Sequence, residues 1–278
     1  VSIPTYTLND GSTLPAIGFG TYPLKGDDGV AAITSALQSG YRLLDTAVNY
    51  ENEREVGEAI RRSGLPRDRV QVQSKIPGRD HGYDDALASI RGSLERLQID
   101  YLDVHLIHWP NPSVGKFVEA WKALVAAREE GLVTTIGVSN FTKEHLRQII
   151  DATGVIPAVN QIELHPYFPQ TEMRKVNEDL GIRTEAWSPM GKRQAPFDER
   201  PVADAAAAHD VTPGQVILRW HHQIGSLPLP KSATPERQRA NLDIFGFELT
   251  DAEVDAITAL GKPDGRLFGG DPNTHEEM

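Results

Sequence analysis

The chain of 278 residues contains no cysteine. That excludes disulfides, thiolate metal ligands and thiol nucleophiles, and it fits a reducing compartment. Basic residues are also in deficit: 28 Lys and Arg stand against 39 Asp and Glu, for a formal net charge of −11. This balance argues against nucleic acid or an anionic membrane surface as a partner. The charges are interspersed, so no acidic tail accounts for the excess. No apolar stretch approaches the roughly 20 residues of a membrane span. The opening "VSIPTYTLND" lacks the basic-then-apolar pattern of a signal peptide. Val1 in place of an initiator Met points to processing or trimming of the start. The expectation is a cytoplasmic protein, monomeric for want of an apolar exposed helix face. Fixed-period repeats and low-complexity segments are absent as well.

What is present is alternation. Short apolar runs of the kind buried on both faces occur at Ala16–Gly20, Arg42–Thr46, Val70–Lys75, Leu102–His108, Thr135–Ser139, Ala158–Leu164, Arg183–Trp187 and Leu227–Lys231. Helical patterns lie between them. Leu87, Ile90, Leu94 and Leu97 recur at steps of three and four, as do Phe117, Trp121, Leu124 and Val125, and then Leu146, Ile149 and Ile150. Eight strand–helix units in one domain of this length (1–278) predict a closed α/β barrel, the (β/α)8 or TIM barrel. An open doubly wound sheet is the alternative, but the G-x-G-x-x-G turn it would carry is missing. Asn9-Asp10-Gly11 between two short runs predicts a β-hairpin capping the barrel bottom. "VADAAAAHD" and "TPGQVILRWHHQ" predict two helices after strand seven, one more than the barrel needs. The Gly-, Pro- and acid-rich tail "DGRLFGGDPNTHEEM" predicts an irregular flap over one face.

Polar residues gather at the carboxyl ends of these strands, where such a barrel opens its mouth. Asp45, Lys75 and His108 end strands two, three and four; Ser139 and Asn140 end strand five. Gln161 and Glu163 lie near the end of strand six, Trp187 and Ser188 close strand seven, and Lys231 and Ser232 close strand eight. Each alone has an ordinary structural explanation. A buried Lys75 or Asp45 is costly unless paired, and adjacent strands make them partners. Tyr50 lies in the loop after Asp45. A cation beside its phenol predicts a lowered pKa and a usable general acid, with His108 placed to orient a carbonyl oxygen. Two weaker patterns suggest a metal: His221-His222, which face different ways on a helix, and Glu163 with His165, which share a strand face. The structural explanation is preferred for both.

"GYRLLDTAVNYENE", "SKIPGR", "LIHWP", "IGVSNF", "VNQIELHPY" and "LPKSATPERQRAN", in this order, resemble the aldo-keto reductases from about Leu14 to about Phe247. "LIHWPNPSVG", "ELHPYFPQ" and "THEEM" look like the bacterial 2,5-diketo-D-gluconate reductases. The resemblance implies a (β/α)8 enzyme that reduces small-molecule carbonyl substrates with NADPH. It implies Tyr50 as proton donor, tuned by Lys75 and Asp45, with His108 orienting the carbonyl. It implies Ser139, Asn140 and Gln161 on the nicotinamide carboxamide, Trp187 against the nicotinamide ring, and Ser188, Pro189, Met190 and Gly191 along the pyrophosphate. Gly20 and Thr21 belong to the same cofactor set. Lys231, Ser232 and Arg237 are implied for the adenosine 2′-phosphate and Asn241 for the adenine. Tyr22, Asn49 and Trp109 would line the substrate pocket. Two positions depart from the family pattern: Pro77 stands where many members carry Trp, and Ala240 where many carry Glu. The same fold could serve as a non-enzymatic NADPH-binding regulatory module, an alternative that the complete quartet Asp45, Tyr50, Lys75 and His108 argues against.

Overall fold

Two short strands, β1 (Thr5–Thr7) and β2 (Thr13–Pro15), pair antiparallel with Thr7 opposite Thr13. The turn between them closes through Leu8 N donating to Ser12 O at 2.8 Å, with Gly11 at φ 85, a conformation glycine adopts freely. The computed structural model describes residues 3–278; Val1 and Ser2, and with them the reading of a processed start, lie outside the described residues.

Eight parallel strands follow: β3 (Phe19–Gly20), β4 (Leu43–Asp45), β5 (Gln71–Ile76), β6 (Leu102–Ile107), β7 (Val133–Ser139), β8 (Val159–Glu163), β9 (Arg183–Trp187) and β10 (Leu227–Pro228). Each pairs with the next in sequence. The two edges then meet: Gly18 N donates to Pro228 O at 3.1 Å and Gly20 N to Pro230 O at 3.0 Å. The sheet is therefore closed, which rules out the open doubly wound alternative. Helices α1 (Gly26–Ser39), α2 (Glu53–Ser63), α3 (Tyr83–Leu97), α4 (Phe117–Glu129), α5 (Lys143–Thr153) and α6 (Thr171–Asp179) each follow one strand. α7 (Arg200–His209) and α8 (Pro213–Gln223) both follow β9, as expected, and α9 (Pro235–Leu242) and α10 (Asp251–Thr258) follow β10. α10 was not anticipated, although its capping box was in view: Thr250 accepts from Glu253 N, and Glu253 answers on the Thr250 backbone.

Strand alternation sorts the core into layers. Leu43 points inward and packs with Val104, Leu106, Val159 and Leu227, while Leu44 points outward into the helix layer with Leu37, Ile90, Trp121 and Leu146. Leu8 and Leu14 of the hairpin join the inward group, so the hairpin plugs the bottom. Asp10 Oδ2 accepts from Thr135 Oγ1 at 2.9 Å and Asn9 Nδ2 donates to Pro157 O at 2.9 Å, which ties that cap to the amino-terminal rim. Above the apolar layer the interior turns polar: Asp45, Gln73, Lys75, Gln161 and Glu185 are all buried.

Candidate active site

The loop after β4 is folded back by its own sequence. A short turn, Val48–Tyr50, closes through Tyr50 N donating to Ala47 O at 3.1 Å, and Glu51 reverses the chain at φ 52. Asn52 is fully buried; its amide donates to Leu24 O at 2.9 Å and Thr21 O at 3.1 Å, and accepts from Thr46 Oγ1 at 2.6 Å. These bonds set Tyr50 over the barrel, with its ring edge-on to His108 at 5.6 Å between centroids. Lys75 rises from β5 beneath it. Its Nζ donates to Asp45 Oδ1 at 2.7 Å, Thr46 O at 3.0 Å and Tyr50 Oη at 3.3 Å. The three residues that the sequence put at or after adjacent strand ends are one connected group.

Burial works against charge on Lys75, but Asp45 foremost and then Tyr50 more than offset it, so its pKa is raised and the ammonium persists. Tyr50 departs from expectation. Burial raises its pKa more than Lys75 lowers it, and Asp45 adds to the rise, so the phenol is pushed up to about 12. The expected lowering weighed the cation and left out desolvation, which is the larger effect. The phenol therefore holds its proton through the neutral range, beside the Lys75 ammonium. Beneath the pair, Asp45 Oδ1 also accepts from Gln73 Nε2 at 2.7 Å and Gln161 Nε2 at 3.0 Å.

A cleft of about 1100 Å³ opens above this group. The catalytic candidates Asp45, Tyr50 and His108 line it, as do Tyr22, Asn49 and Trp109 on the substrate side. Gly20, Thr21, Asn140, Gln161, Trp187, Ser188, Pro189, Met190 and Lys231 also line it. Lys75 is fully buried under the floor, bonded to Tyr50 and Asp45 of the lining. Ser139, Gly191, Ser232, Arg237 and Asn241 are outside the lining. Arg237 is exposed on α9, six residues after Lys231, while Ser232 and Asn241 are buried. The carboxamide candidates have their donors turned to protein: Ser139 Oγ donates to Gln161 O at 2.8 Å, Asn140 Nδ2 to His108 O at 3.0 Å and Gln161 Nε2 to Asp45. Asn140, at φ 61, accepts from Trp187 Nε1 at 2.8 Å, which fixes the indole at the cleft wall.

Several lining residues were not read from the sequence: Arg79, Lys192, Arg193 and Phe197; the tail, expected as a flap over one face, supplies Phe268, Glu277 and Met278. Glu277 Oε1 sits 2.8 Å from His108 Nδ1 and accepts from Asn49 Nδ2 at 2.7 Å. Gly78 permits this approach, since a Cβ there would lie 2.3 Å from Glu277 O. The "PGRD" turn is legible in the sequence; the arrival of the tail upon it is not. Phe268 stacks on Trp187 at 5.8 Å between centroids. The histidine patterns are structural. His165 Nε2 is 2.9 Å from Glu163 Oε1, which also accepts from Leu267 N at 2.7 Å and so anchors the tail. His221 bonds Ser226 Oγ and Pro189 O, and His222 bonds Tyr6 Oη. Among the described residues no three His, Cys, Asp or Glu side chains form a metal-binding group.

The sequence model of the Aldo/keto reductase family matches residues 16–262. The chain is 58% identical over 277 residues to the 2,5-diketo-D-gluconic acid reductase B of Corynebacterium sp. (strain SHS752001), covering 100% of this chain and 99% of that one. The crystal structure of an aldo/keto reductase from Brucella melitensis superposes with a TM-score of 0.90 at 44% identity, covering 93% of this chain and 100% of the other. A Gox0644 mutant in complex with NADPH superposes at 0.94 with 41% identity, covering 99% and 100%. Closed barrel, motif order and full-length similarity agree, and this chain belongs to the Aldo/keto reductase family of oxidoreductases.

Proposed function

We propose that the chain reduces aldehydes and ketones with NADPH, and that Tyr50 gives the proton. One observation carries this reading: the Tyr50 hydroxyl stands 3.3 Å from a fully buried ammonium, on the floor of a cleft that His108 also lines. The cleft suits a dinucleotide phosphate in its donor set. Trp187 offers an aromatic wall, and Lys192, Arg193 and Lys231 bring cations to the lining. When bound, NADPH supplies hydride to the carbonyl carbon. The chain's part is to hold the carbonyl oxygen between His108 and Tyr50 and to pass the Tyr50 proton to that oxygen, while the Lys75 ammonium stabilises the phenolate left behind. Trp187, Ser188 through Gly191, Lys231, Ser232, Arg237 and Asn241 are the cofactor contacts by position in the family motifs.

The substrate class is small polar carbonyl compounds and keto sugars such as 2,5-diketo-D-gluconate. The name of the Corynebacterium relative supports this, as does the pocket rim. Pro77 stands where many family members carry Trp, and polar Asn49 and Arg79 line the rim, their donors held by Glu277 and Met278 of the tail. Tyr50→Phe is the test. It should abolish NADPH oxidation in the presence of diketo-gluconate while NADPH still quenches the protein's tryptophan fluorescence. Turnover at the wild-type rate would sink the proton-donor assignment.

A further inference from the structure

Below the proton donor lies a carboxyl group that the proposed chemistry does not use. Glu185 sits in β9 between Thr184 and Ala186 and is fully buried inside the barrel. Its Oε2 accepts from Gln73 Nε2 at 2.8 Å and Gln161 Nε2 at 2.9 Å. The same two amide nitrogens donate to Asp45 Oδ1. Two carboxyl groups therefore face each other across one pair of amides, and the cation of the network, Lys75, bonds Asp45. With both ionised, the cluster would hold two negative charges for one positive, away from water. Two oxygens in it are also orphaned: Glu185 Oε1 and Gln73 Oε1 have no hydrogen-bond partner. Both are acceptors if Glu185 is a carboxylate. A proton on Glu185 Oε1 turns one of them into a donor and leaves one anion for one cation.

We propose that Glu185 is a positioning residue that carries this proton in the working enzyme, leaving Asp45 as the anion paired with Lys75. The inference deepens the reading of Tyr50 as proton donor and rests on it. The charged groups acting on Glu185 are Asp45 from β4 and Lys75 from β5; β8 brings Gln161, and β10 brings Leu227 opposite it. Burial foremost, then Asp45, pushes the Glu185 carboxyl up to about 7, against the amides and Lys75. Loss of the proton would place a second anion beneath Lys75 and Tyr50. The phenol would become a poorer acid, and the bridging amides would be drawn from Asp45. Proton donation should weaken as Glu185 ionises.

The test is the pH profile of kcat for Glu185→Gln, which keeps the size, puts an amide N–H where the proton sits and cannot ionise. In the wild type kcat should fall as pH rises through the neutral range. In Glu185→Gln that limb should disappear, so the ratio of kcat at about pH 8 to that at about pH 6 rises several-fold. NADPH binding and circular dichroism report whether the variant is folded. Superimposable profiles would overturn the proposal, as would a folded variant with kcat down tenfold or more at every pH and an unchanged profile. If the variant does not fold, infrared spectra of the wild-type protein decide. A protonated-carboxyl band at about pH 6 that vanishes by about pH 8.5 supports the proposal, because solvated carboxyls are already ionised there; its absence at both overturns it. Tyr50→Phe separates the two readings: if it is inactive while the Glu185 arm fails, the donor assignment survives alone.

Discussion

At Tyr50 two effects compete, and burial wins over the neighbouring cation. On the proposed reading, Lys75 serves by stabilising the phenolate left after proton transfer and not by making the phenol dissociate freely. Lys231 is exposed at the cleft edge, where it can meet a phosphate. Lys231→Ala should weaken NADPH by about tenfold, the worth of one charge-assisted hydrogen bond of roughly 1.5 kcal/mol, and leave NADH nearly unaffected. Fluorescence titration with both cofactors measures this, and equal losses would remove Lys231 from the 2′-phosphate site.

At the scale of elements, the tail behaves as a strap. Gly78 N and Asn111 Nδ2 both donate to Glu277 O, at 3.1 and 2.6 Å, and Ser113 N donates to Glu276 Oε1 at 2.8 Å. Burial disfavours the Glu277 carboxylate, but His108 foremost, with Asn49 and Lys75, overcomes it and holds it down to about 2. An anion therefore stands against His108 Nδ1 at every working pH, beside the ring proposed to orient the carbonyl. Glu277→Ala should lower KM for small neutral ketones by about threefold or more with kcat little changed; a higher KM would make Glu277 a substrate ligand. Helix packing is equally close-fitting. A Cβ on Gly57 of α2 would lie 2.1 Å from Leu97 O at the end of α3. Gly57→Ala should force the helices apart and cost about 1–3 kcal/mol, read from urea unfolding.

At the scale of the whole molecule, a closed eight-stranded sheet is wrapped by helices over a two-stranded hairpin, and the buried histidines should set the acid limit. Burial pushes His81 down to about 4 and His105 and His221 to about 3. A folded value below the unfolded one means that the neutral form is the stable one in the fold. That stability is complete above about pH 6.5 and is lost as pH falls through the folded values. Glu185 has the opposite sign: its folded value is raised to about 7, so its contribution is complete below about 4.5 and lost as pH rises to 7. Three histidines outweigh one carboxyl. Unfolding free energy should decline between about pH 6.5 and pH 4.5, in one cooperative transition at each pH. Urea melts across that range check it, and a flat profile would refute the histidine account.

The sequence by itself determined the order of the strands, the hairpin, the paired helices after β9 and the quartet at the mouth. Each is local: an apolar run of strand length, a Gly in a turn, a polar residue where a run ends. Asp45 and Lys75 could be paired on paper because neighbouring strands in a barrel are neighbours in sequence. α10 was legible in its capping box and was missed. Only the tertiary structure decided what depends on distant segments meeting. Nothing near Glu277 announces His108, and nothing in "RTEAW" announces that Glu185 shares its amides with Asp45. The pKa of Tyr50 belongs here too, since desolvation is a property of everything packed around a group and leaves no mark on the residues beside it in the chain.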